Sequence, residues 1–357
     1  MEWLSQYLVF LAETVTIVIA IITILLFILV QRKKSAPSGS LEIKDLTEEY
    51  RDIKETMLLS TMDDFANKEY NKQQKKIRKE EKKQQKQALK TKTDNLAGQE
   101  EQTKNVDSTV CKPNCYVLSF NGSIDAHEVE DLRQEVTAVL SVVKPEDKVI
   151  LKLESPGGVV HGYGLAASQL LRFRQRDIHL TAVVDKVAAS GGYMMACTAN
   201  EIIAAPFAII GSIGVVAQIP NFHRLLKKND IDIELQTAGQ YKRTLTMFGE
   251  NTEAGRQKFQ QELEETHLLF KDFVAENRPN VNIEEVATGE HWFAVQAKDK
   301  GLIDEINTSD DVILSLLENY KIMSVKYHRR KKLTDRLTKN IVSGIERLLF
   351  RNSRTIY

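Results

Sequence analysis

The chain has 357 residues, enough for one large domain or two ordinary ones, and its 42% hydrophobic and 27% charged content excludes collagen-like, wholly disordered and disulfide-scaffold classes. Lys+Arg 49 balance Asp+Glu 49, so the net charge is zero, yet the Lys-rich blocks lie outside the central region. Cys111, Cys115 and Cys197 are too few and odd in number for a disulfide framework, and Cys111 with Cys115 has no second pair to make a zinc site.

Tyr7 to Val30 is an almost unbroken apolar run of 24 residues ending at Arg32, Lys33 and Lys34. A helix of that length covers a hydrocarbon core of ~30 Å, and the absence of a positive segment before Tyr7 favours a retained anchor over a cleaved signal peptide. The three basic residues would hold the following chain on the cytoplasmic side. Residues 35–40 read as a short joint, and Leu41, Leu46, Ile53, Met57 and Leu58 recur at loosely helical spacing. Between Lys68 and Lys92, eleven Lys or Arg face Glu69, Glu80 and Glu81 with almost no apolar residue, so this stretch cannot build a core. It is expected to be a solvated stalk, with contact to anionic lipid as the functional alternative. No aromatic residue is interleaved for base stacking, so no specific nucleic-acid partner is expected.

From Cys115 onward, apolar strands are predicted at residues 116–120, 149–153, 180–184, 202–205 and 231–235. Helical periodicity occupies 126–143, 161–176, 190–199, 221–229, 253–277 and 310–319. Strands alternating with helices of this length imply crossover connections and a mainly parallel sheet, an α/β domain over 111–320. The last 37 residues carry eleven Lys or Arg against Asp335 and Glu346, and Leu333, Leu337, Ile341, Ile345 and Leu348 line one face of a helix. A basic tail over 321–357 is therefore expected to lie on a membrane surface or on its own domain.

Ligand and catalytic groups of α/β domains gather where strands give way to loops and helix N-termini. Three such junctions stand out: Ser155-Pro156-Gly157-Gly158, Ala188-Ala189-Ser190-Gly191-Gly192 and Gly211-Ser212-Ile213-Gly214-Val215. Ser190, flanked by Ala189 and Gly191, can expose its hydroxyl to an incoming carbonyl, and the glycines let backbone N–H groups approach a developing oxyanion. The bland alternatives are a helix cap at Ser190 and a plain turn at Ser155 to Gly158. A base is also needed. None of the seven histidines has a spacing that defines a triad, and lysines are too many for composition to select one; Lys242, directly after the 231–235 segment, has the most unusual surroundings.

The blocks Ser155 to Gly158, Asp185 to Tyr193, Gly211 to Val215 and Gly239-Gln240-Tyr241-Lys242, in this order and behind an N-terminal anchor and a Lys-rich stalk, resemble the signal peptide peptidase A family, in particular its shorter SohB-type members. The resemblance covers essentially the full length. It implies a ClpP/crotonase-like fold of repeated strand-strand-helix units and a membrane-anchored serine endopeptidase with a Ser-Lys dyad. Ser190 would be the nucleophile, Lys242, 52 residues later, the general base and acid, and Ser212 the group that orients the lysine. Gly191 would supply one oxyanion donor and Gly157 or Gly158 the other, with Gly158 preferred. The implied partners are a peptide or membrane-protein substrate, the lipid bilayer and further copies of the chain in a ring that sometimes completes the dyad across subunits. No cofactor or metal is implied. The expected location is the bacterial inner membrane, and here the family points to the outer side while the flanking charges point to the inner one. A crotonase-like acyl-CoA enzyme and a non-catalytic membrane scaffold are the alternatives.

Overall fold

The computed structural model describes Thr16, residues 39–63, 65–70, 72–76, Lys79 and 112–329. The expected membrane span at 7–30, most of the basic stalk, Cys111 and the apolar stripe from Leu333 to Leu348 lie outside these residues. No helix among the described residues is long and apolar enough to cross a membrane. The chain divides into two units, Met1–Leu41 with Tyr327–Tyr357, and Glu42–Lys326; everything that follows concerns the second.

The strands are β1 (Gly39–Asp45), β2 (Asn114–Asn121), β3 (Lys148–Glu154), β4 (His179–Val184), β5 (Val187–Ala189), β6 (Glu201–Ala204), β7 (Ile209–Gly211), β8 (His291–Phe293), β9 (Glu305–Ile306) and β10 (Lys321–Arg329). The helices used below are α1 (Leu46–Thr61), α2 (Val129–Leu140), α3 (Val160–Arg174), α4 (Gly191–Ala196), α5 (His223–Lys228), α6 (Glu253–Asn277), α7 (Ile283–Val286), α8 (Ala294–Asp299) and α9 (Ser309–Leu316).

A seven-stranded sheet runs in the order β1-β10-β2-β3-β4-β6-β9, and the pairings from β10 to β9 are parallel. Its central strands are apolar on both faces, as a parallel sheet covered twice requires. Leu118, Leu151, Leu180 and Ile202 point into the larger core, where Leu132, Val136, Tyr163, Leu170 and Phe173 from α2 and α3 meet them. The alternate residues Val117, Ile150, Val183 and Ile203 face a second core closed by Val312 and Ile313 of α9, with Leu46 and Tyr50 of α1 packed against it. The period of two along each strand thus assigns side chains to two helical layers. A second, small sheet pairs β5 with β7 in parallel and β7 with β8 antiparallel.

The four predicted strands between residues 116 and 205 and every predicted helix in the central region are present, α6 with the expected bounds of 253–277. Two expectations are corrected. The sheet does not stop at residue 320: β10 pairs with β2 from Lys321↔Asn114 to Ser324↔Val117, with Ile322 and Val325 buried. Its Lys and Arg residues disguised a strand as the start of the basic tail. Residues 231–235 form no strand; Ile231, Ile233 and Leu235 are 49%, 47% and 52% exposed. An alternating apolar pattern expresses fit to a neighbouring pleated surface, and no described strand runs beside this one.

Candidate active site

The three glycine-rich junctions converge because the two sheets interlock at the ends of β3 and β5. Past Glu154, Ser155 donates its N–H to Val187 O at 2.8 Å and accepts at its carbonyl the N–H of Ala189 at 3.0 Å. This lays the first junction alongside the strand that leads into Ser190. The register Ala189↔Gly211 carries the pairing on to β7, and the N–H of Ser190 donates to Gly211 O at 2.7 Å, which brings in the third junction. Ser212 is fixed in turn by its N–H to Glu290 O, also at 2.7 Å.

Ser190 occupies the N-cap position of α4, but its hydroxyl forms no cap hydrogen bond. Its backbone is at φ 52 and ψ −121, a region sparsely populated by side-chain-bearing residues. A sharp, strained strand-to-helix turn presents a serine Oγ outward rather than back onto the helix, as nucleophile elbows do in other α/β enzymes. Ser212 is likewise at positive φ, 53°. Both serines line one cavity of about 660 Å³ together with Gly157, Gly158, Gly191 and Gly214. Its apolar wall includes Ile124, Met194, Val215, Val216 and Phe270.

The glycines are tightly confined. At Gly157, with φ +89, a Cβ would lie 2.7 Å from both Gly191 N and Ser190 Cβ, so the two turns are pressed together. A Cβ at Gly158 would collide with the Ile124 carbonyl, and one at Gly191 with the Tyr163 ring. The hydrogen bonds separate the two candidate donors of the first junction: Gly157 N–H is spent on Ser155 Oγ at 3.1 Å, whereas neither Gly158 N–H nor Gly191 N–H is committed among the described residues. A carbonyl oxygen entering beside Ser190 therefore meets two free amides, one from each turn, the arrangement that stabilises charge developing on oxygen.

The structure thus brings together Ser190, Ser212, Gly157, Gly158 and Gly191, but not Lys242. Lys242 sits in the exposed stretch that follows residues 231–235 and does not line the cavity. Among the lining residues the titratable base is His267 on α6, whose Nε2 is 3.3 Å from Ile213 O. Sequence reasoning passed over His267 because a lone histidine inside a 25-residue helix carries no spacing signal. The thiols are no rivals for Ser190, since burial pushes both Cys115 and Cys197 up to about 12 and leaves them protonated at neutral pH.

Similarity to known proteins agrees with this arrangement. The profile of Peptidase family S49 N-terminal matches residues 2–170, and that of Peptidase family S49 matches residues 172–323. The Probable protease SohB of Haemophilus influenzae is 51% identical over 331 residues, 92% of this chain and 90% of the relative. The Probable protease SohB of Buchnera aphidicola subsp. Schlechtendalia chinensis is 50% identical over 316 residues, 88% of this chain and 100% of the relative. A solved structure of the 1510-N membrane-bound stomatin-specific protease with a substrate peptide aligns with 66% of this chain and 100% of its own, at 15% identity and a TM-score of 0.40. Matched along both halves and half-identical to relatives over nine-tenths of its length, this chain belongs to peptidase family S49.

Proposed function

We propose that the chain is a membrane-anchored serine endopeptidase with a ClpP/crotonase-like catalytic domain, in which Ser190 attacks the scissile carbonyl and Lys242 is its general base and acid. The observation that carries the reading is Ser190 itself, held off its helix in a strained turn, uncapped, and facing a cavity with two uncommitted N–H groups. Neutral Lys242 takes the hydroxyl proton as Ser190 Oγ bonds to the carbonyl carbon, and the oxygen gains its negative charge against Gly158 and Gly191. The same proton then passes to the leaving nitrogen as the C–N bond breaks. Water attacks the acyl-enzyme by the same route, releasing the acid and restoring Ser190. Ser212, on the cavity wall, orients the lysine by a hydrogen bond.

Lys242 reaches this site in a ring of identical chains. The segment that bears it exposes Ile231, Ile233, Leu235, Tyr241, Met247 and Phe248, and an apolar stretch of strand-like pattern is what a neighbouring copy would cover. The apolar segment before residue 35 is the anchor in the inner membrane, and the substrate is a membrane-associated peptide or protein. His267 supports a second reading, in which the imidazole already in the cavity is the base. A fluorophosphonate label and a quenched fluorescent peptide test both in the full-length oligomer. Ser190→Ala is expected to lose labelling and hydrolysis, Lys242→Ala to lose hydrolysis, and His267→Gln to keep most of it. Full activity in Lys242→Ala with loss in His267→Gln would transfer the base role to the histidine; activity retained in Ser190→Ala would reject serine catalysis.

A further inference from the structure

We infer that Tyr163 is the positioning residue that sets both amides of the oxyanion hole; the inference rests on the serine acyl-transfer reading above. Tyr163 is fully buried on α3 and touches each arm of the site from below. Its ring lies directly beneath Gly191, close enough that no Cβ fits between them, and Phe120 holds the ring edge-on at 6.3 Å and 76°. Its hydroxyl controls the other arm through an ordered relay of protons. Tyr163 Oη has one proton and donates it to Ser123 O at 2.8 Å. Ser155 Oγ, 2.5 Å from Tyr163 Oη, must then be the donor of that pair, and this leaves its lone pairs to accept Gly157 N–H at 3.1 Å.

The consequence lies one peptide further on. With Gly157 N–H pinned inward, the Gly157-Gly158 turn has a fixed rotation, and Gly158 N–H is the one left unbonded at the cavity. Ser123 is itself anchored, since Glu128 Oε2 accepts its N–H at 3.1 Å and its Oγ–H at 2.9 Å. Ser155 and Tyr163 are wholly buried, and removal of either hydroxyl leaves a polar group without a partner in a site closed to solvent. One side chain therefore fixes the spacing between the amide of the first junction and that of the second, the quantity on which an oxyanion hole depends.

The test is a comparison of full-length wild type, Tyr163→Phe, Ser155→Ala and the double variant, with hydrolysis of a quenched fluorescent peptide, fluorophosphonate labelling of Ser190 and thermal melting measured on each. Tyr163→Phe keeps the ring under Gly191 and removes only the hydroxyl. Each single variant is expected to lower kcat by roughly 10- to 100-fold with KM within about threefold, because the loss falls on the transition state. The double variant is expected to be no slower than the slower single, since both changes break one relay. Unchanged kcat in Tyr163→Phe, or losses that multiply in the double variant, would overturn the inference. Should Tyr163→Phe fail to fold, Ser155→Ala carries the same test of kcat against KM. Wild type that hydrolyses the peptide without Ser190 labelling would instead reject the reading on which the relay depends.

Discussion

Gly158→Ala should separate the geometry of the site from the stability of the fold. The added methyl would collide with Ile124 O and come within 2.7 Å of Ile124 C and Cα, all main-chain atoms that no rotamer change can move aside. The Ile124 carbonyl is also tied to Val159 N–H at 2.9 Å, so the loop cannot retreat without losing that bond. The turn must shift instead. A shift on the order of 1 Å in a group that contacts the transition state costs about 100-fold in rate, while overpacking of this kind costs ~1 to 3 kcal/mol of stability. Gly164→Ala, six positions along the same stretch, is the matched control: its Cβ would meet nothing within 4 Å, inside helix α3. It should leave kcat unchanged and stabilise by about 0.5 to 1 kcal/mol, the helix propensity difference. Peptide hydrolysis and urea denaturation of both variants measure these effects. A Gly158→Ala enzyme with wild-type kcat would refute the reasoning, because it would mean that the amide beside Ser190 tolerates displacement.

Leu170, fully buried between α3 and the sheet, should cost about 2 to 5 kcal/mol on change to Ala, read as a lowered urea midpoint; a loss below ~1 kcal/mol would mean the core there collapses freely. Tyr193→Phe should cost ~1 to 3 kcal/mol by the same assay, since the buried hydroxyl donates to Leu302 O at 2.9 Å and that carbonyl would lose its partner. Acid should destabilise the fold through Asp304 and Glu128. Burial works to raise the Asp304 carboxyl, but hydrogen bonds from Arg278 and from Ile202 N–H hold it below its ordinary 3.8. Burial likewise opposes Glu128, but backbone N–H groups and the Ser123 hydroxyl hold it below 4.5. Because both folded values are depressed, their contribution is complete above those ordinary values and is lost as pH falls through the folded ones; thermal melting from pH 6 downward should show the decline, and Asp304→Asn should flatten it.

Long, strongly patterned elements were legible in the sequence, and elements defined by their partners were not. The strands β2, β3, β4 and β6 announce themselves as apolar runs, and α6 by its capping Thr252, which accepts Gly255 N–H at 3.1 Å, and its unbroken periodicity. The strands β5, β7, β8 and β9 have three residues or fewer, too few to show a period of two; pairing with neighbours distant in sequence makes them strands. β10 was hidden by its charges, although only its buried positions Ile322 and Val325 matter to the core. At the site, the glycine junctions identified the oxyanion groups, but no sequence signal could say that Gly157 N–H is spent on Ser155. That choice depends on Tyr163, whose hydroxyl is delivered by a helix on the far side of the turn.

The strained serine makes a final argument about what this fold stabilises. Ser190 at φ 52, ψ −121 and Ser212 at φ 53 each hold a conformation that costs an L-residue on the order of 1 to 3 kcal/mol. The bonds from Ser190 N–H to Gly211 O and from Ser212 N–H to Glu290 O keep both in place. Ser190→Ala removes the hydroxyl but leaves the strain, because alanine has the same Cβ. Ser190→Gly removes both, and after deducting the ~0.5 to 1 kcal/mol that glycine loses in backbone entropy it should gain about 1 kcal/mol over Ser190→Ala. Both variants should be inactive, and the order of their urea midpoints is the measurement. An alanine variant as stable as the glycine variant would mean the turn is relaxed, and that the outward hydroxyl owes nothing to stored strain.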